Sequence, residues 1–186
     1  MKAKKLQIIS EEISKYSQYV TQEDIDRFVQ AILKAKRIFV NGAGRSGFAA
    51  RAFSNRLMHL GLTVYFVGEP TTPSIHEGDL LVIGSGSGTT ASLVSNAKKA
   101  KSTGASIATL TIDPKATIGS MADVVVVIPG ATPKNEEVNN TNLSQQPMGS
   151  LFEQLSWLTY DSVIMELMPL LHQTEDEMFS RHANME

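Results

Sequence analysis

The sequence predicts an α/β fold: a three-layer, doubly wound, five-stranded parallel sheet in the flavodoxin-like order 2-1-3-4-5, with N-terminal helices and a long C-terminal helix. Three observations predict it. Five short apolar runs rich in β-branched residues lack polar–apolar alternation, as expected for parallel strands covered on both faces. Helical patterns separate most of these runs. Glycine- and serine-rich loops follow the first and third runs and lead directly into helices.

The individual elements follow from local patterns. The predicted strands are residues 38–40, 64–67, 80–83, 107–110 and 124–128. Helices are predicted over 46–60 and 90–102, each ending at a glycine, and a last long helix begins at Ser150. We expect helices between the strands, except that the connection 68–79, with Pro70 and Pro73, crosses without one. The polar, Asn-rich stretch 129–147 predicts a functional or mobile loop.

Two further helices precede the first strand. An apolar stripe with helical spacing predicts the first, packed against another helix; its members are Leu6, Ile9, Ile13, Tyr16 and Val20. Thr21 and Asp24 have the spacing of a capping box, which predicts the start of the second helix, and this helix should end near Lys36.

Length and composition limit the function. A chain of 186 residues predicts one domain, 1–186, with the helical segment 1–36 packed on it. The net charge of −2 argues against nucleic acid as a partner, and the absence of cysteine suits a reducing compartment, the cytoplasm. We expect no secretion signal at the N-terminus. We also expect no membrane span, since Asp161 and Glu166 interrupt the most apolar segment, 155–171.

The two loops predict a phosphate site. The first is Asn41-Gly42-Ala43-Gly44-Arg45-Ser46-Gly47, and the second is Gly84-Ser85-Gly86-Ser87-Gly88-Thr89-Thr90. Glycines let the backbone approach an anion, and a helix N-terminus adds partial positive charge. Because strands one and three are neighbours in the predicted order, both loops should contact one ligand. The candidate binding residues are Ser46, Ser85, Ser87, Thr90, Gly44, Arg45, Gly86 and Gly88.

Other interpretations of these loops stay open. Glycine and serine after a strand also form ordinary turns. The first loop contains G-x-G-x-x-G, and Glu69 follows strand two about where a ribose-binding acid would lie, so a dinucleotide-binding protein is a competitor. The lysine of a nucleoside-triphosphate loop is absent from both loops, so triphosphate hydrolysis has no support.

The motifs resemble those of the sugar isomerase (SIS) domain, found in phosphosugar isomerases and phosphosugar-binding regulators. The pattern Ser85-x-Ser87-Gly88-x-Thr90 resembles the SIS signature, and Thr89 stands where the family commonly has Glu. Nearly the whole chain is similar to the 6-phospho-3-hexuloisomerases within that family. The stretches that carry this likeness best are Gln146-Pro147-Met148-Gly149-Ser150-Leu151-Phe152-Glu153 and Arg181-His182-Ala183-Asn184.

The resemblance implies a function. It implies interconversion of 3-hexulose 6-phosphate and fructose 6-phosphate through an enediol, as in formaldehyde assimilation by the ribulose monophosphate pathway. It implies a sugar phosphate as ligand, no cofactor, and a homotetramer with active sites between subunits. The alternatives are an isomerase of arabinose 5-phosphate or sedoheptulose 7-phosphate, and a non-catalytic phosphosugar-binding protein.

The resemblance also implies the catalytic groups. It places the base at Glu153, although Ser150 and Glu153 have the spacing of a capping box that needs only a helix start. It makes His182 the second acid–base group and implies that the tail is held in place, in a crevice of its own or a neighbouring subunit. His59, at a helix C-terminus that favours an imidazolium, is a secondary candidate. Arg51 is another secondary candidate, one that would contact ligand oxygens.

No two histidines have the i, i+4 spacing of a helical metal site, so we predict no metal.

Overall fold

The parallel sheet has the strand order predicted from the sequence. The computed structural model describes residues 3–131 and 144–185. The five strands pair in parallel in the order β2-β1-β3-β4-β5. In chain order the elements are α1 (Lys4–Ser17), α2 (Gln22–Lys34), β1 (Ile38–Gly42), α3 (Gly44–His59), β2 (Val64–Phe66), β3 (Leu80–Gly84), α4 (Ala91–Ser102), β4 (Ser106–Thr111), a 3-10 helix (Gly119–Met121), β5 (Val124–Val127), α5 (Ser150–Leu170) and α6 (Glu175–Phe179).

Each face of the sheet has its own apolar core. In β3, Leu80 and Val82 belong to the cluster with α1, α2, α3 and α5, whereas Leu81 and Ile83 belong to the cluster with α4. Successive side chains of a strand point to opposite faces, so a strand buried on both sides is mostly apolar without alternation. The predicted three-layer architecture is therefore confirmed.

Helix α1 packs on α5, which is the partner helix that its apolar stripe requires. Tyr16 is buried and Ile9 and Ile13 are half-buried, but Leu6 at the other end of the stripe is 62% exposed. The packing therefore uses only part of the stripe. None of the described helices combines the length and the apolar character needed to cross a membrane.

Helix ends differ from the predicted ones by up to two residues. Thr21 caps α2 by accepting a hydrogen bond from Asp24 N (3.2 Å), as predicted. The helix stops at Lys34, because Ala35 is already extended. The sequence reasoning missed α6, although Thr174 and Glu177 form a complete capping box there.

The capping box expected at the start of α5 is wrong. Ser150 is already helical, and the N-cap residue is Gly149, which has no side chain to cap the helix. The backbone N–H of Ser150 donates to Pro147 O (3.2 Å). The carboxylate of Glu153 is therefore not used to cap its own helix through Ser150.

The connections between strands are mostly short. Residues 68–79 contain no helix, as predicted, and Asp79 joins this segment to β1 through two hydrogen bonds from Arg37 (2.6 and 2.9 Å). Burial alone would raise the pKa of Asp79, but the bonds from Arg37 and from His76 N hold it below its ordinary value.

Only a 3-10 helix separates β4 from β5, so the expectation of a full helix there is wrong. Of the predicted loop 129–147, residues 132–143 lie outside the described residues.

Candidate active site

A cavity of about 350 Å³ lies beyond the carboxyl ends of β1 and β3. Gly42 and Gly84 end these strands and pair with each other in the sheet, so the loops that follow start at the same level. The cavity is lined by residues of both loops, of α4, of the segment after β4 and of the start of α5 with the residues before it: Ala43, Gly44, Arg45, Ser46, Gly84, Ser85, Gly86, Ser87, Thr90, Leu93, Ile112, Ala131, Met148, Gly149, Phe152 and Glu153. All the predicted binding residues except Gly88 are in this lining.

In the first loop, close packing accounts for Gly42 and Gly47, the outer glycines of the pattern. A Cβ on Gly47 would lie 2.7 Å from Gly42 O, nearer than real contacts allow, so α3 can start directly against β1 only with glycine at this position. Glu69, the residue that a dinucleotide site would use, instead accepts a hydrogen bond from Arg51. The guanidinium of Arg51 also lies 4.0 Å from the centre of the Phe66 ring. Arg51 thus faces the β2 edge, and it is not among the residues that line the cavity.

In the second loop, hydrogen bonds orient two serine hydroxyls. Ser85 Oγ accepts from Gly88 N (3.2 Å), and Ser87 Oγ accepts from Thr89 N (3.4 Å). A hydroxyl that accepts in this way can still donate its own proton to an anion. Gly88 differs from the prediction, because its N–H already bonds to Ser85 and its φ of +62° shapes the turn. Gly88 therefore stabilises the shape of the loop.

The cavity is suited to an anion that is bound by dipoles. Helices α3 and α4 both begin here, and the first N–H groups of a helix have no partner within it. Thr90 is the N-cap residue of α4 and makes no capping bond with its side chain, so its hydroxyl is available on the cavity wall. Among the described lining residues, the charged ones are Arg45 and Glu153.

Arg45 and Glu153 form an ion pair at the edge of the cavity. Arg45 Nε donates to Glu153 Oε2 at 2.5 Å, and this bond raises the pKa of Arg45. The Glu153 side chain is only 18% exposed, whereas that of Arg45 is 67% exposed. The pair also borders a second, apolar groove of about 440 Å³, lined by Ile9, Ile13, Arg45, Phe48, Ala49, Glu153, Gln154, Trp157 and Leu158. Glu153 is thus accessible from two sides.

His182 lies at the opposite end of α3. Its ring stacks on His59 with the ring centres 5.4 Å apart and on Phe179 at 5.9 Å, while Arg181 donates to His59 O (2.9 Å). Helix α3 has 16 residues and spans about 24 Å, with Arg45 in its first turn and His59 at its end. One chain therefore brings Glu153 together with the two glycine-rich loops but does not bring it together with His182.

His59 departs from its predicted charge state. Burial, with smaller contributions from Arg56 and His182, lowers the pKa of His59 below its ordinary value of 6.5. We expected the helix terminus to favour an imidazolium here, but burial and the charge of Arg56 lower the pKa and so favour the neutral ring. The same burial makes His59 a poor candidate for direct contact with substrate.

We expect the stability of the protein to fall as the pH drops through 6.5, because the unfolded chain then binds a proton at His59 that the folded chain resists. The NMR titration of the His59 ring should have its midpoint below 6.5. Replacement by glutamine should remove this part of the pH dependence of the melting temperature, and His172→Gln should preserve it. A His59 midpoint at or above 6.5 would contradict the assignment.

Sequence reasoning missed one wall of the cavity. Met148, Gly149 and Phe152 come from a stretch recognised only as a family motif, and Ile112 follows β4. Their apolar character gives no chemical signal on its own. Within residues 3–131 and 144–185, no cluster of three His, Asp or Glu side chains is placed to hold a metal ion.

Comparison with known proteins identifies the family. The sequence matches the SIS domain family over residues 31–155. It is 46% identical to the 3-hexulose-6-phosphate isomerase of Bacillus subtilis, over 96% of this chain and 95% of that protein. It is 39% identical to the 3-hexulose-6-phosphate isomerase of Mycobacterium gastri, over 97% and 89%.

A solved structure agrees with these relatives. The crystal structure of a Methanococcus jannaschii protein, for which a function as 3-hexulose-6-phosphate isomerase was inferred, superimposes with a TM-score of 0.82. The sequences are 36% identical, and the match covers 99% of this chain and all of that one. The fold and these similarities together show that the chain belongs to the SIS domain family.

Proposed function

We propose that this chain is a phosphosugar isomerase that interconverts 3-hexulose 6-phosphate and fructose 6-phosphate. The observation that carries the proposal is the position of one carboxylate, Glu153, beside an anion cavity built from two helix N-termini. The relatives that carry this activity in their names match nearly the whole chain, which supports the same substrate here.

The phosphate binds in the cavity beyond the carboxyl ends of β1 and β3. Ser46, Ser85, Ser87 and Thr90 donate hydroxyl hydrogen bonds to its oxygens, and the first N–H groups of α3 and α4 add partial positive charge. Gly44 and Gly86 let the backbone approach the ligand. Arg45, at the rim, is placed to contact oxygens on the sugar side of the phosphate.

The reaction moves a carbonyl between neighbouring carbons. Glu153 takes the proton from C2 of the 3-hexulose, and the electrons of that C–H bond form the C2–C3 double bond of an enediol while the C3=O π electrons move to O3. The proton then returns at C3 as the C2–C3 double bond opens and the carbonyl forms at C2. The hydroxyl proton passes from O2 to O3, and His182 assists this second transfer. Oxidation at C2 balances reduction at C3, so the step needs no cofactor.

His182 acts at the site of a neighbouring subunit in this proposal. Within one chain it lies at the far end of α3 from Glu153, so a second copy must supply the histidine. The apolar groove beside Glu153, with the exposed side chains Phe48, Trp157 and Leu158, supports an interface between copies. We therefore favour a homotetramer with shared sites, acting in the cytoplasm in formaldehyde assimilation by the ribulose monophosphate pathway.

One assay separates this function from its alternatives. The purified protein should turn over 3-hexulose 6-phosphate and leave arabinose 5-phosphate unchanged when the two are tested side by side. Turnover of arabinose 5-phosphate or sedoheptulose 7-phosphate alone would indicate another SIS isomerase, since the loop contacts reach only the phosphate. Binding of fructose 6-phosphate without turnover of any sugar would indicate a non-catalytic binding protein.

A further inference from the structure

Glu12, in α1, binds the chain segment that enters α5. Its Oε2 accepts hydrogen bonds from Ser144 Oγ (2.6 Å) and Gln146 Nε2 (3.0 Å), and its Oε1 accepts one from Gln145 N (2.7 Å). Burial alone would raise the pKa of Glu12, but these bonds, with the charge of Lys15, lower it. One carboxylate thus holds three consecutive residues that lie more than 130 positions away in the sequence.

The residues that follow this anchor form one wall of the cavity. Met148 and Gly149 line it, and a Cβ on Gly149 would lie only 3.5 Å from Glu153 Oε1. Gly149 O also accepts the backbone hydrogen bond of Glu153 N (3.0 Å). A short series of contacts therefore links the two carboxylates. Glu12 bonds to residues 144–146, and Gly149, a few residues further on, contacts Glu153.

Met148 has a conformation that needs support from both sides. Its φ is +53°, in the left-handed region that a methionine rarely adopts, and its side chain is exposed. Such a conformation persists only where the surrounding structure imposes it. Helix α5 holds the residue on one side, and the bonds to Glu12 hold the chain on the other.

We propose that Glu12 is a positioning residue of the active site, which fixes residues 144–149 so that Met148 closes the wall and Glu153 keeps its place. The inference rests on the proposed function, because the isomerase reaction gives Glu153 its role. Glu12 touches no substrate in this proposal. Its effect should therefore appear in turnover more than in phosphate binding.

The test replaces Glu12 by alanine and by glutamine. Alanine removes all three acceptor contacts and favours the helix, so kcat should fall about tenfold while KM and the melting temperature change little. Glutamine should retain most activity, since its oxygen can accept from Gln145 N and its amide can pair with a rotated Gln146 amide. Glu11→Ala, at the exposed neighbour on the same helix, is the matched control and should behave as the wild type.

Two further measurements make the test specific. Amide hydrogen exchange within residues 144–149, of which Pro147 has no amide hydrogen, should accelerate about tenfold in Glu12→Ala and return towards the wild-type rate in Glu12→Gln. The loss caused by Gln146→Ala should shrink in the Glu12→Ala background, because the two residues act through one contact. Unchanged exchange and turnover in Glu12→Ala, or fully additive losses, would overturn the proposal.

The test of Glu12 can be decided even if the proposed isomerase activity is wrong. If the wild type turns over no hexulose phosphate, the isomerase assignment fails and hydrogen exchange alone decides about the anchor. Accelerated exchange at 144–149 in Glu12→Ala, reversed by glutamine, would support it, and an unchanged rate would overturn it.

Discussion

Glu153→Gln should fold normally, bind fructose 6-phosphate and lose most of its turnover. A general base contributes about 10²- to 10⁴-fold to a proton transfer, and an amide cannot replace it. The helix should not suffer, because Ser150 and Glu153 form no capping box. Turnover, ligand binding and melting temperature measured on one preparation check all three expectations.

A matched control lies on the same helix. Glu166 is exposed near the other end of α5, so Glu166→Gln makes the same chemical change away from the cavity and should leave turnover intact. Near-normal turnover in folded Glu153→Gln would remove Glu153 from the mechanism and leave its bond to Arg45 as its known role.

The partner acid–base group can be tested by mixing inactive variants. His182→Asn keeps hydrogen bonding but cannot transfer a proton near neutral pH, so its turnover should fall while assembly persists. If sites are shared between copies, co-assembly of Glu153→Gln with His182→Asn should regain part of the activity, because some sites receive both intact residues. Unchanged turnover in His182→Asn would remove His182 from the mechanism.

Ser87→Ala should weaken phosphate binding more than it slows the chemistry. Ser87 is buried in the cavity wall, and its oxygen already accepts from Thr89 N, which directs its proton towards a ligand. A hydrogen bond to a charged group contributes about 1.5–3 kcal/mol, so KM for the sugar phosphate should rise roughly ten- to hundredfold with kcat much less affected.

The control removes a hydroxyl from the far end of the same helix. Ser102 closes α4 and bonds to Lys99 O, remote from the loop, so Ser102→Ala should leave KM unchanged. An unaltered KM in Ser87→Ala, or tight binding of NAD by the wild type, would count against the phosphate assignment and favour the dinucleotide interpretation.

The sheet and its loops could be predicted because their signals are local. Short apolar runs rich in β-branched residues predict the strands, and glycine-rich loops that open helices predict where an anion could bind. Signals that are equally local were also misleading. Ser150 and Glu153 have the spacing of a capping box, yet Gly149 occupies the N-cap position and leaves Ser150 inside the helix.

By itself, the sequence determined the order of the strands and the positions of the two glycine-rich loops, and it indicated a candidate base at the start of α5. Only the tertiary structure decided that Arg45 faces Glu153, that His182 stacks on His59, and that Glu12 holds the entry to α5. The physical reason is range. Strand and loop patterns depend on neighbours in the sequence, whereas these pairings join residues more than 100 positions apart, which the packing of α1, α3 and α5 and of the C-terminal segment on α3 brings together.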